Sequence, residues 1–341
     1  MPDFFEAIRD FLLDYLPKQR CFSPNTALSY KQTLKLFVRY LQDTEGLRLK
    51  EIKFSTINKN HLTGFLDWLV LTRNCSGNTR NQRLMALRSF LEYAGQRDVA
   101  QMGLYTAALA IPKQEYYTKV VEYLTEPALK TLLEQPDASK EKEFRNLVFM
   151  ILMYDTGARC HEMLAIKICD LKINNASPIA FLNGKGKKQR CVPLMPTTVN
   201  YLKKYLEHFH PGEKSNSNKN VFYTVSHYQQ HEMSSDNVGK FIDHYGRMAA
   251  TVCPEIPSKV KPHMLRHTRA MHLYKHGMPL PLLADFLGHS STETTRIYAY
   301  ADTEMKREAL NKADIVRQNN PIPIKTWDMD EELILKLSGL S

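Results

Sequence analysis

A polar, proline-broken run at residues 108–121, ALAIPKQEYYTKVV, interrupts a chain of 341 residues and sets the terms on which it can fold. Before the run, apolar residues recur at helical spacing. After it, helical stretches alternate with short runs of strand-like composition. One continuous core does not bridge such a break, and the length suits two domains and a tail. The expected division is a helical domain at 1–111, a linker at 112–122, a second domain at 123–312 and a tail at 313–341.

The first domain reads as four helices. FFEAIRDFLLDYL (4–16) places Phe4, Ile8, Phe11, Leu12 and Tyr15 on one face, and Pro17 should stop it. Ser23-Pro24-Asn25-Thr26 opens a second helix with proline near its first position. A third covers 61–72. A fourth, 78–95, turns Leu84, Leu87, Phe90 and Leu91 inward, carries Arg80, Arg83 and Arg88 on other faces, and should end at Gly95 as a C-cap. Past the linker, Thr125 is the expected N-cap of a new helix, and FRNLVFMILMYDTG forms another. DLKIN (170–174), PIAFLN (178–183) and RCVPL (190–194) read as three short strands, the last two joined by a turn at Gly184–Lys188. Helices resume near residue 196, and HPGEKSNSNKN (210–220) is a polar loop. The tail ends in a short helix around Leu333, Ile334 and Leu337, marginal in isolation and so expected to dock. The fold class is mainly α with a small antiparallel β-sheet, α+β.

The net charge of +10 falls as +5 over 1–112, +7 over 113–312 and −2 over 313–341, so the positive excess lies on both domains. That distribution suits a polyanion. No run of about 18 apolar residues exists to span a membrane. The N-terminus carries acids at helical spacing and lacks a basic leader, so a cytoplasmic location is expected. Cys21, Cys75, Cys160, Cys169, Cys191 and Cys253 form no CxxC pair and are expected to be buried free thiols. His208 and His210 stand two apart before a proline, and His227 and His231 have no clear third ligand, so no metal is expected. No GxxxxGK[ST] phosphate loop occurs.

Three local patterns carry chemistry. In YDTGARCHEML, Gly157 permits a tight turn and Arg159 falls near the start of a helix, an end that favours anions. Glu162 there either braces the guanidinium or supports the helix dipole. In KPHMLRH, His263 and Arg266 share a helix face, while the adjacent His267 points elsewhere and is kept as a supporting residue. In LLADFLGHSSTETTRIY, Gly288 ends one helix, and Ser290 with Glu293 forms a capping box that begins the next. His289 is thereby fixed in the turn, and Tyr298 falls more than a turn into the second helix. Tyr300 is rotated by about 200° from it. Breaking a phosphodiester without a metal needs a nucleophile in line with phosphorus, cations on the non-bridging oxygens and a proton for the leaving oxygen. Arginine suits the oxygens because its fork is planar and always charged.

The ordered set, Arg in TGxR, a lysine turn, HxLRH, LGH and a Tyr nine residues later, resembles the tyrosine recombinase/integrase family, which includes phage integrases and Xer-type resolvases. The N-terminal part looks like the family's helical, SAM-like core-binding domain, through Ser23-Pro24-Asn25-Thr26, Tyr30, Phe37, Asn78-Thr79-Arg80-Asn81 and Leu87-Arg88. The resemblance implies a site-specific recombinase that cuts and rejoins DNA through a 3′-phosphotyrosine on Tyr298, serving integration or excision of a mobile (transposable) element or a related rearrangement. Arg159 and Arg266 would clamp the scissile phosphate, and His289 would add a second phosphate contact. Lys185, on the turn, would protonate the leaving 5′-oxygen. His263 would accept the tyrosine proton or bond the phosphate, with Glu162 in support. Lys187, Lys188 and Arg190, together with Arg80, Arg83 and Arg88, are expected DNA contacts. The implied partners are double-stranded DNA at a specific site, clasped between the two domains, three further copies of the chain in a synaptic tetramer, and accessory DNA-bending proteins. No cofactor or ATP is required. A tyrosine-type topoisomerase-like relaxing activity, or a non-catalytic DNA-binding regulator, are the alternative functions.

Overall fold

The computed structural model describes residues 4–115, 121–184, 189–289, 291–301, 307 and 335–336. The chain separates into two compact units, Met1–Thr118 and Lys119–Ser341, each with its own core. Among the described residues no helix is long and apolar enough to cross a membrane.

The first unit is helical: α1 (Phe4–Asp10), a π-helical continuation (Phe11–Gln19), α2 (Pro24–Asp43), α3 (Lys59–Leu71), α4 (Gly77–Arg97) and α5 (Met102–Leu109). Side-chain caps from Ser23, Asn58 and Ser76 start α2, α3 and α4. Pro17 does not stop the first helix as its sequence suggests. Phe4, Ala7, Phe11 and Leu16 are the buried residues, at steps of three, four and then five. The wider π-turn keeps Leu16 on the face that Phe11 occupies and carries the chain through the proline. Nor is Gly95 a C-cap. It is buried inside α4, which continues to Arg97, and Met102 of α5 packs against it. Helix α5 itself was not anticipated. Leu84, Leu87, Phe90 and Leu91 do face the core, each contributing ~1.5–3 kcal/mol on burial.

The second unit runs α6 (Glu126–Leu133), α7 (Glu141–Thr156), α8 (Cys160–Leu164), β1 (Leu171–Lys172), β2 (Ile179–Asn183), β3 (Gln189–Pro193), α9 (Pro196–Phe209), β4 (Tyr223–Ser226), β5 (Gln229–Glu232), α10 (Ser235–Ala250), α11 (Pro262–Lys275), α12 (Leu280–Leu287) and α13 (Arg296–Ala301). Strands β1–β2–β3 form an antiparallel sheet in which Asn183 pairs with Gln189 at the foot of the lysine turn. The β4–β5 hairpin is an addition to the sequence reading, and its tip residues His227 and Tyr228 have positive φ. Thr125 caps α6 through its side chain, as expected. Helix α7 is nearly engulfed by apolar side chains and packs along α11. A partly buried pair ties the two: Arg269 Nη2 lies 3.0 Å from Asp155 Oδ1, whose other oxygen accepts from Met195 N at 2.9 Å.

The thiols are free but not buried. Cys21 and Cys191 are exposed, and the other four half-buried. Cys191 takes the outward position of β3 between inward-facing neighbours. The tail helix lies outside the described residues except for Leu335–Lys336, and the linker is described only to Glu115 and from Val121.

Candidate active site

Helix α7 ends at Gly157 in the left-handed conformation, with φ of 57°. A Cβ there would also meet Leu287 Cδ2 at 3.0 Å, so the turn and the close approach of α12 both demand glycine. The chain then places Arg159 at the N-cap of the short helix α8. Its backbone N–H donates to Glu162 Oε2 at 2.9 Å and its Nη1 to Oε1 at 2.9 Å. Glu162 therefore braces the guanidinium and caps the helix at once.

Arg190 of β3 meets the same carboxylate. Its Nη1 donates to Oε1 at 3.0 Å, its Nη2 to Oε2 at 2.8 Å, and its Nε to the Phe286 carbonyl at 3.0 Å. Glu162 is 2% exposed. Burial alone would raise its pKa. The hydrogen bonds of Arg190, the Arg159 N–H and both positive charges overcome that and hold it at about 2. The carboxylate stays ionised throughout the neutral range.

Arg266 is 3% exposed on α11. Its Nη1 donates to the Gly157 carbonyl at 2.6 Å and its Nη2 to the Leu287 carbonyl at 2.8 Å. Those bonds occupy two of the five guanidinium donors and aim the group between the ends of α7 and α12. Burial first, and then the charges of Arg159 and Arg190, bring its pKa down to about 10. It remains charged at neutral pH. Three guanidiniums thus lie in one another's field around a single carboxylate.

Tyr298 is 1% exposed and packs among Ala270, Met271, Leu283 and Leu287. Its hydroxyl lies 2.9 Å from His267 Nδ1. Burial pushes the phenol up to about 12, against the pull of Arg266 and Arg159. His267 is driven down to about 4 by burial and then by His263 and Arg266. The imidazole is neutral, and its Nδ1 can accept the tyrosine proton's hydrogen bond. This corrects the expectation that His267 points away. Adjacent helical residues do diverge, but Tyr298 arrives from another helix on the side that His267 faces.

His289 follows Gly288, whose φ is 63°. Its Nδ1 lies 2.8 Å from Thr295 Oγ1, and burial followed by Arg266, Arg159 and Arg190 lowers it to about 4. His263, the second residue of α11, is exposed. Its pKa is lowered by the protein packed around it and then by Arg266, Arg159 and His161. The approach to Tyr298 differs from expectation. Ser291 accepts from Glu293 N at 3.2 Å, a single 3-10 turn spans Thr292–Thr294, and α13 begins only at Arg296. Tyr298 is in the first turn of that helix. Thr294 bonds back to Ser291 O at 2.6 Å and Thr295 is engaged by His289, and such local bonds compete with helix continuation. Ser290, the proposed cap, lies outside the described residues.

The structure thus brings Arg159, Glu162, Arg266, His263, His267, His289 and Tyr298 into one neighbourhood and adds Arg190 as an internal brace. Lys185, Lys187, Lys188 and the Tyr300 side chain lie outside the described residues. Arg80, Arg83 and Arg88 belong to the first unit, where their guanidiniums donate to protein oxygens. A signal for Arg190 was present in the sequence. Val192, two residues on, is buried, and period-two alternation places Arg190 on the same face.

Residues 122–305 match the phage integrase family, and residues 9–98 match the phage integrase N-terminal SAM-like domain. The chain is 30% identical over 306 residues to the putative integrase/recombinase y4rC of Sinorhizobium fredii, covering 89% of this chain and 90% of that protein. It is 27% identical over 307 residues to the tyrosine recombinase XerD of Staphylococcus haemolyticus, covering 90% and 98%. The fold is similar to that of the Tn1549 transposon integrase solved with transposon right-end DNA, with a TM-score of 0.67, 15% identity and coverage of 91% and 99%.

Proposed function

This chain belongs to the phage integrase family, and from that premise we propose that it is a site-specific DNA recombinase that cuts and rejoins strands through a covalent bond to Tyr298. One observation carries the reading: the Tyr298 hydroxyl, bonded to a neutral imidazole, lies in the field of arginines that outnumber their carboxylate. Such a site stabilises charge gathering on a phosphoryl group.

In the proposed step the Tyr298 oxygen attacks phosphorus, the new O–P bond forms and the bond to the 5′-oxygen breaks. Arg159 and Arg266 hold the non-bridging oxygens and His289 adds a donor. His263 takes the tyrosine proton or bonds the phosphate. His267 holds the hydroxyl before attack. Lys185 gives its proton to the leaving 5′-oxygen. The phosphotyrosine conserves the bond energy, so rejoining needs no ATP. Because Tyr298 is covered, entry of DNA must uncover its hydroxyl. The substrate is duplex DNA at a recombination site, in the cytoplasm, for integration or excision of a mobile element. Two duplexes are exchanged in a complex of four protomers with DNA-bending helpers, the 313–341 tail docking on a neighbour. The named relatives support the recombinase reading, and the likeness to the transposon integrase supports its fold.

The test is a nicked suicide substrate built from the flanks of the gene's own element, with covalent complex read on a denaturing gel and assembly on a native one. Wild type should accumulate the adduct, and Tyr298→Phe should abolish it while keeping DNA affinity. Loss of the adduct in Tyr300→Phe but not in Tyr298→Phe would overturn the nucleophile.

A further inference from the structure

We propose that Arg190 is a positioning residue for strand cleavage rather than a contact to the DNA backbone. The idea rests on the recombinase reading above. Arg190 lies one residue past the foot of the lysine turn, where Gln189 pairs with Asn183. From there its guanidinium reaches three pieces of the site. It forks onto both oxygens of Glu162, the carboxylate that also holds the Arg159 backbone and side chain. It donates to the Phe286 carbonyl near the end of α12. It also fills the space beside Gly288, where a Cβ would meet Arg190 Cδ and Nη1 at 3.0 Å. The next residue is His289.

One side chain therefore fixes the strand that leaves the lysine turn, the helix start that carries Arg159 and the turn that carries His289. Its side chain is 12% exposed and its partner carboxylate is fully covered. A planar fork bound to both carboxylate oxygens sets orientation as well as distance, which a lysine ammonium cannot do. With its Nε and both terminal nitrogens engaged by protein, Arg190 has its geometry set from within. A displacement of about 1 Å in groups held this way can cost on the order of 100-fold in rate.

The experiment compares full-length wild type with Arg190→Ala, Arg190→Lys, Arg190→Gln, Glu162→Gln and the Arg190→Gln/Glu162→Gln double variant. Two readouts are taken: the single-turnover rate of covalent complex formation at saturating DNA, and the slope of log affinity against log salt. Arg190→Ala should cleave about 100-fold more slowly while its salt slope stays within ~0.3 of wild type, since each phosphate contact contributes about 0.9 to that slope. Arg190→Lys should recover only part of the rate. The double variant should be no slower than the slower of Arg190→Gln and Glu162→Gln, because both act on one unit. Normal cleavage by Arg190→Ala, or a loss confined to affinity with a slope shallower by about 0.9, overturns the positioning role. If Arg190→Ala fails to fold, Arg190→Lys and the double variant decide: additive losses count against action through Glu162. If wild type itself forms no adduct, the recombinase reading has failed, while the salt slope still decides whether Arg190 touches DNA.

Discussion

Arginines are drawn inward in both units of this chain, and they meet different partners. On α4, Arg80 donates to the Pro112 carbonyl at 2.9 Å, Arg83 to Ser29 O and Thr33 Oγ1 at 3.0 and 2.8 Å, and Arg88 to the carbonyls of Ala108, Leu109 and Ile111. These acceptors are neutral, and Arg88 meets the C-terminal end of α5, where carbonyls lack helical partners and the dipole is negative. In the second unit, Arg159, Arg190 and Arg266 crowd one carboxylate. The first arrangement closes a scaffold. The second leaves uncompensated positive charge beside a tyrosine, in a setting where charge is poorly screened. Residue type alone does not separate these uses; the acceptors do.

The two units differ most in consequence at Arg266. Arg266→Ala should slow covalent complex formation by ~100- to 1,000-fold at saturating DNA, the range for removing one donor to a transition-state oxyanion. An unchanged rate in the suicide-substrate assay would show that the cation excess is not catalytic.

Acid offers the next largest effect. The folded pKa of Glu162, about 2 against an ordinary 4.5, is depressed. Its stabilisation is therefore complete above pH 4.5 and lost as pH falls from there toward 2, by at most ~3 kcal/mol. The folded values of His267 and His289, about 4 against an ordinary 6.5, are also depressed. Their contribution is present above pH 6.5 and drains away between 6.5 and 4. Urea unfolding at stepped pH should show both windows, and Glu162→Gln should flatten the lower one. Arg80, Arg83 and Arg88 donate to neutral oxygens, so protonation does not release them.

The smallest effect separates the units from the other side. Arg88→Ala leaves three carbonyls short of a donor and should destabilise the first unit by ~1–3 kcal/mol in urea. Cleavage at saturating DNA should change by less than about threefold, since no reacting group is touched. A large cleavage defect with unchanged stability would place Arg88 in the reaction instead.

Much of this was legible in the chain itself. The helix start at Ser23, the cap at Thr125, the turns at Gly157 and Gly288 and the strands β2 and β3 follow from local rules, because dihedral preference and side-chain period act over a few residues, while the ordered set from Arg159 to Tyr298 was legible through its resemblance to the tyrosine recombinase family. Local rules also misled where packing decided. Pro17 did not stop its helix because keeping Leu16 inward called for a wider turn, and Gly95 did not end α4 because α5 packs against it. Hydrogen-bond partners were the hardest to foresee. Arg190 finds Glu162 across 28 residues, His267 finds Tyr298 across 31, and Arg266 finds Gly157 across 109. A periodicity names the face a side chain takes. What waits on that face is set by how helices and sheet pack, so the tyrosine and the arginines can be named from the chain, but the groups that hold them in place come from segments far apart in it and meet only on packing.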